Sequence, residues 1–214
     1  MKRYDLVIFD CDGVLVDSEP IANRVLAERL GTVGLRYSVE ETMDRFVGRT
    51  REGCLELARE LLGRELPPGF GEAWDSALFE ALGREVKAVP GVAKLLRELD
   101  IPYCVASNST VERMRLSLKA AGLLQFFEGR MFSAARVARP KPAPDVFLHA
   151  AQTLKAATER CAVIEDTSTG VQAALAAGMA VFAYVPGMPQ TAGKLRAQGA
   201  IPFGAMGHLP ELLA

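Results

Sequence analysis

Three aspartates, Asp10, Asp12 and Asp17, fall within eight positions directly after an apolar, β-branched run from Leu6 to Phe9, with Gly13 inside the turn. A strand places its i and i+2 side chains on one face, so Asp10 and Asp12 can converge just beyond the strand's end. Two carboxylates that close repel each other, which raises at least one pKa unless they share a cation. A divalent metal with oxygen ligands relieves the repulsion, and magnesium is the usual choice where phosphate is another ligand. Taken alone, the stretch also reads as a solvated acidic turn.

Three further polar clusters are spread along the chain: Ser107-Asn108, Lys141 and Glu165-Asp166. Their chemistry is mutually consistent. A carboxylate can attack phosphorus when metal and donors make it electrophilic, and a second carboxylate can protonate the leaving oxygen and then activate water. A hydroxyl, backbone N–H groups and a lysine can hold the transferring oxygens. Each cluster also has a plain structural use. Ser107 to Thr110 can cap the helix that follows, Lys141 can be a loop lysine held extended between Pro140 and Pro142, and Glu165-Asp166 can be a turn before the helix at Ser168.

The elements that must position these groups alternate. Strand-like runs at Leu6 to Phe9, Pro102 to Ala106, Arg130 to Phe132, Cys161 to Ile164 and Met179 to Tyr184 are separated by helical patterns, and a helix and loop finish the chain. Strands alternating with helices predict βαβ units, a parallel sheet and right-handed crossovers, with ligands bound beyond the carboxyl ends of the strands. Between Asp17 and Glu85 nothing reads as a strand. Four helices are expected there: one capped by Ser18 with Ile21, Val25, Leu26 and Leu30 as its stripe, one opened by a Ser38–Glu41 capping box, and one opened by Thr50 with Leu55, Leu57, Ala58, Leu61 and Leu62. The fourth covers about 71–82.

Composition narrows the function classes. The chain has 214 residues, half of them hydrophobic, and a net charge of -1, which offers no electrostatic footprint for nucleic acid or an anionic membrane. No apolar run is long enough for a membrane span, and Met1-Lys2-Arg3 leads straight into the first strand, so a cytoplasmic protein without a signal peptide is expected. Cys11, Cys54, Cys104 and Cys161 form no CxxC pair and have no nearby histidine, so reduced thiols are expected rather than a zinc site. None is followed six positions on by an arginine, as a thiol phosphatase would need. There is no P-loop and no G-x-G-x-x-G.

Four stretches together, Asp10 to Glu19, Ser107-Asn108-Ser109, Lys141 to Phe147 and Glu165 to Val171, resemble the four signatures of the haloacid dehalogenase-like (HAD) hydrolases, in the same order. The similarity is greatest to the phosphatase and β-phosphoglucomutase-like subgroup with a helical cap. The resemblance implies a doubly wound, Rossmann-like α/β core over 1–16 and 87–214 and an inserted all-helical cap over 17–86. It implies Asp10 as nucleophile, Asp12 as general acid/base, and Ser107, Asn108 and Lys141 as phosphate ligands. Mg2+ would be held by Asp10, the Asp12 carbonyl and Asp166, with Glu165 in or near the shell. Dehalogenase members lack the equivalent of Asp12, so its presence points to phosphoryl chemistry.

The expected substrate is a small phosphate ester, a sugar or sugar-acid phosphate, with no nucleic acid or membrane partner and a monomer or weak homo-oligomer. In the mutases a cap histidine follows the first signature. Here that helix reads Glu19-Pro20-Ile21-Ala22-Asn23-Arg24, and the only histidines are His149 and His208, so hydrolysis to water is favoured over a mutase cycle. Selectivity is expected from the cap, with Gly48, Arg49 and Thr50 as candidate contacts: the glycine for close approach, the arginine for a hydroxyl or second anion. Three alternatives stand beside the phosphatase: a β-phosphoglucomutase-like phosphotransferase, a phosphate-accepting signalling domain similar to response regulators, and a non-catalytic phosphate-sensing protein.

Overall fold

A computed structural model describes residues 3–46 and 49–214. The chain divides into two compact units, one made of residues up to Asp17 together with Lys87–Ala214, the other of Ser18–Val86. The first strand, β1 (Leu6–Phe9), is buried along its whole length. A strand covered on both faces needs no polar alternation, which is why its sequence is an unbroken apolar run.

The Ser18–Val86 unit is helical in its described elements: α1 (Glu19–Thr32), α2 (Val39–Phe46), α3 (Arg51–Leu62) and α4 (Phe70–Glu85). Ile21, Val25, Leu26 and Leu30 form the buried stripe of α1, which packs against α4, whose buried face carries Phe70, Trp74, Leu78 and Leu82. Ser38 and Glu41 make the expected reciprocal box, with the Glu41 N–H on Ser38 Oγ at 3.1 Å and the Ser38 N–H on Glu41 Oε2 at 2.8 Å. Two expectations shift. Ser18 stands at the N-cap of α1 but makes no capping bond with its side chain, and Pro20 in the first turn loses nothing by lacking an N–H. In α3 the buried positions are Cys54 and Ala58, while Leu61 is exposed.

From Lys87 the chain alternates: α5 (Val92–Glu98), β2 (Tyr103–Ser107), α6 (Val111–Ala120), β3 (Met131–Ser133), α7 (Asp145–Thr153), β4 (Cys161–Glu165), α8 (Ser168–Ala176), β5 (Ala180–Tyr184), α9 (Pro189–Gln198), β6 (Ile201–Phe203) and α10 (Leu209–Leu213). The strands form one parallel sheet in the order β3-β2-β1-β4-β5-β6, the doubly wound α/β arrangement. The sixth strand was not expected. It is three residues long with Pro202 in the middle, which is tolerated at a sheet edge and carries no strand signature.

Alternation along the strands divides the core. Leu6, Ile8, Cys104, Ala106, Cys161 and Val163 join the buried residues of α7 and α8 in one cluster. Phe9, on the opposite face of β1, meets Tyr103 and Phe127 edge-on, with ring centroids 6.3 and 6.5 Å away. All four cysteines are free and buried. No helix among the described residues is long and apolar enough to cross a membrane.

Register decides what meets at the carboxyl edge. Phe9 pairs with Val105 on one side and Ile164 on the other, and the Asp10 N–H donates to Ile164 O at 2.9 Å. The residues just past β1, β2 and β4 therefore emerge side by side. Ser107 pairs with Ser133, which brings the end of β3 to the same edge.

Candidate active site

The centre of the edge is Lys141. Its ammonium donates to Asp10 Oδ1 at 2.5 Å, Glu165 Oε1 at 2.7 Å and Ala106 O at 3.0 Å, using all three N–H bonds. The Nζ also lies 4.6 Å from the Phe147 ring centroid. A lysine with its side chain only 3 % exposed is stable as a cation only with such partners. Burial by itself would lower its pKa, but the Asp10 and Glu165 carboxylates outweigh that and hold it above the ordinary value. Burial pushes the Asp10 carboxyl up to about 7, with Lys141 pulling against it and the Glu165 and Asp12 charges adding to it.

Asn108 grips the backbone that carries the lysine. The Lys141 N–H donates to Asn108 Oδ1 at 2.9 Å, and Asn108 Nδ2 lies 3.4 Å from Lys141 O. Ser107 is buried, and its hydroxyl accepts from the Ser109 N–H at 3.2 Å. Thr110, not Ser107, caps α6, accepting from the Arg113 N–H.

Glu165 is the most enclosed acid of the group, 1 % exposed. Its Oε1 takes the Lys141 ammonium, and its Oε2 accepts from the Asp166 N–H at 3.0 Å, the Thr167 N–H at 3.1 Å and the Thr167 hydroxyl at 2.9 Å. The carboxylate lies against the bare Cα of Gly170, where a Cβ would stand 1.8 Å from Glu165 Cδ. Glu165 was expected in or near a metal shell; its two oxygens here face Lys141 and the start of α8.

Asp166 turns the other way, onto the acidic turn itself. Gly13 has φ +79°, and a Cβ there would stand 2.0 Å from Asp166 Oδ2, so only glycine lets the carboxylate lie on that backbone. Asp10, the turn at Asp12-Gly13 and Asp166 therefore offer oxygen donors alone, which suits a hard cation such as Mg2+. Among the described residues no three His, Cys, Asp or Glu side chains form a ready-made metal cage.

Asp12 is less enclosed, its side chain 25 % exposed. Ser109 Oγ donates to its Oδ2 at 2.8 Å, and Arg113 Nη2 lies 3.4 Å from Oδ1. Ser133 Oγ in turn donates to Ser109 O at 2.7 Å. Neither Arg113 nor Ser133 was singled out by sequence reasoning. The available signal was spacing, since Arg113 lies one helical turn past Ser109 on the helix that Thr110 opens. Of the cap candidates, Gly48 lies outside the described residues, Thr50 spends its hydroxyl on the Gly53 N–H as the cap of α3, and Arg49 Nε lies 3.2 Å from Arg45 O.

Comparison with known proteins shows the family. The family model described as haloacid dehalogenase-like hydrolase matches residues 4–178. The chain is 31% identical over 185 residues to 6-phosphogluconate phosphatase of Escherichia coli, covering 86% of this chain and 84% of the relative. It is 33% identical over 180 residues to hexitol phosphatase A of the same organism, covering 82% and 81%. A HAD family hydrolase from Deinococcus radiodurans, solved with bound phosphate and sodium, is 35% identical and superposes with a TM-score of 0.84, covering 100% of this chain and 96% of that one. With the model spanning most of the chain and the fold shared along its length, the chain belongs to the haloacid dehalogenase-like hydrolases.

Proposed function

We propose that this protein is a Mg2+-dependent phosphatase that hydrolyses a small sugar or sugar-acid phosphate through an aspartyl-phosphate on Asp10. The observation that carries the proposal is the buried Asp10 carboxylate seated 2.5 Å from the Lys141 ammonium, with the more exposed Asp12 two residues on. A nucleophile enclosed beside a fixed cation, next to a second acid that solvent can reach, is the division of labour that phosphoryl transfer to a carboxylate requires.

An Asp10 oxygen attacks phosphorus, and the ester oxygen leaves with a proton from Asp12. Asp12 then takes a proton from water, whose oxygen attacks the phosphorus of the aspartyl-phosphate, freeing inorganic phosphate and restoring the Asp10 carboxylate. Ser107 and Lys141 are assigned to the transferring oxygens. Asn108 is assigned to holding Lys141, because its amide faces that residue's backbone. Asp10, the Asp12 carbonyl and Asp166 would hold Mg2+, which when bound neutralises charge on the phosphoryl oxygens. Glu165 is assigned to Lys141 rather than to the metal.

The similarity to 6-phosphogluconate and hexitol phosphatases supports a phosphorylated sugar derivative as substrate. Selection among such substrates is assigned to the helical unit Ser18–Val86 acting as a cap, with Arg49 as the contact for a hydroxyl or second anion.

The test is phosphate release from a panel of sugar, sugar-acid and nucleotide phosphates, with Mg2+ and with EDTA, beside Asp10→Asn. Metal-dependent release that the substitution abolishes is expected. Isomerisation of glucose 1-phosphate without release would replace the phosphatase by a phosphotransferase. Silence in both assays would overturn the enzyme proposal.

A further inference from the structure

We propose that Ser109 and Arg113 are positioning residues that fix the direction of the Asp12 carboxylate, with Ser133 anchoring Ser109 from behind. The inference rests on the assignment of Asp12 as general acid and names what makes it effective. An acid protonates a leaving oxygen only from hydrogen-bond range and in the right direction. Asp12 extends from a turn with its side chain 25 % exposed. Two donors from other elements face its carboxylate. Ser109, in the loop after β2, takes Oδ2 at 2.8 Å, and Arg113, in the first turn of α6, faces Oδ1 at 3.4 Å. Each oxygen has its own donor, so rotation of the carboxylate breaks both contacts.

The two donors are not equivalent. A guanidinium only donates, so the oxygen facing Arg113 remains an acceptor in either state of Asp12. A hydroxyl both donates and accepts, so Ser109 serves the carboxylate and the carboxylic acid alike. Ser109 is itself pinned. Its carbonyl accepts from the buried Ser133 hydroxyl at 2.7 Å, and its N–H donates to Ser107 Oγ at 3.2 Å. The ends of β1, β2 and β3 are thereby joined through Asp12, Ser109 and Ser133.

The readout is the dependence on the leaving group. An alkyl phosphate such as glycerol 3-phosphate needs its leaving oxygen protonated, whereas p-nitrophenolate leaves without that help. kcat/KM reports events up to the first irreversible step, so the ratio of kcat/KM for the alkyl ester to that for p-nitrophenyl phosphate isolates the acid. General acid catalysis is worth about 10²- to 10⁴-fold, and misdirecting the acid forfeits part of it. Ser109→Ala is expected to lower the ratio by about 10- to 100-fold and Arg113→Met by about 3- to 10-fold, with Ser109→Thr and Arg113→Lys recovering much of each loss. Ser133→Ala is expected to lower it in the direction of Ser109→Ala but less. A merely structural role would lower both substrates together and leave the ratio unchanged.

Asp12→Asn is the reference. If it lowers the ratio and Ser109→Ala and Arg113→Met, folded by circular dichroism, do not, the positioning inference is wrong and the phosphatase proposal stands. If Asp12→Asn leaves the ratio unchanged, Asp12 is not the acid and the inference falls with that assignment. If wild type releases no phosphate from either ester, the phosphatase proposal itself fails.

Discussion

Gly170→Ala separates helix propensity from the needs of the site, and the geometry predicts which wins. In an unconstrained helix position alanine is better than glycine by about 1 kcal/mol. At Gly170 the added Cβ would stand 1.8 Å from Glu165 Cδ and Oε1 and 2.2 Å from Oε2, so the carboxylate must leave its seat. That carboxylate accepts from Lys141, the Asp166 and Thr167 N–H groups and the Thr167 hydroxyl. Hydrogen bonds to a charged group are worth about 1.5–3 kcal/mol each, so losing two of them outweighs the propensity gain. A net destabilisation of about 2 to 5 kcal/mol follows, read as a lower urea midpoint at constant m. Gly193→Ala in α9 is the matched control. Nothing lies within 4 Å of its Cβ position, so it is expected to gain up to about 1 kcal/mol. Activity should fall with Gly170→Ala, because Lys141 loses a partner. A Gly170→Ala protein as stable as wild type would refute the reasoning.

Further outcomes follow from the same contacts. Lys141→Met leaves Asp10 and Glu165 as buried carboxylates without their cation and is expected to cost about 3 to 5 kcal/mol in chemical denaturation. Asn108→Ala acts through Lys141 and so should lower kcat/KM by a similar factor for every phosphate ester tested; a loss confined to one substrate would count against it. Arg49→Ala is expected to do the reverse, lowering kcat/KM for the best metabolite relative to p-nitrophenyl phosphate, and equal loss for both would sink its assignment. All four thiols are buried, and burial pushes each thiol pKa up, so a thiol reagent should label the native protein slowly and the urea-unfolded protein at once.

The sheet was legible because both of its faces are covered, which turns Leu6 to Phe9 and Cys161 to Ile164 into plain apolar runs. The polar residues just after those runs lie at one edge once the strands are parallel, and that much required no side-chain geometry. β6 was not legible, because three residues with a central proline carry no periodic signal. Which oxygen faces which donor was not legible either. Glu165 and Asp166 are adjacent in sequence, yet one carboxylate turns to Lys141 and the other to Gly13. The two glycines that receive them, Gly170 and Gly13, are the clue, since each leaves room where a side chain would otherwise stand. Arg113 was hidden for a different reason. An arginine on an amphipathic helix reads as solvated until the fold brings the acidic turn beside it.

The most direct test of the proposed chemistry is to find the phosphoryl group on the enzyme. Protein mixed with Mg2+ and its best substrate, quenched in acid within a turnover and digested, should yield the peptide containing Asp10 heavier by one phosphoryl group. Asp10→Asn should yield none. Full turnover of wild type with no phosphorylated peptide trapped at any quench time, or with the phosphoryl group on another residue, would contradict a covalent intermediate on Asp10.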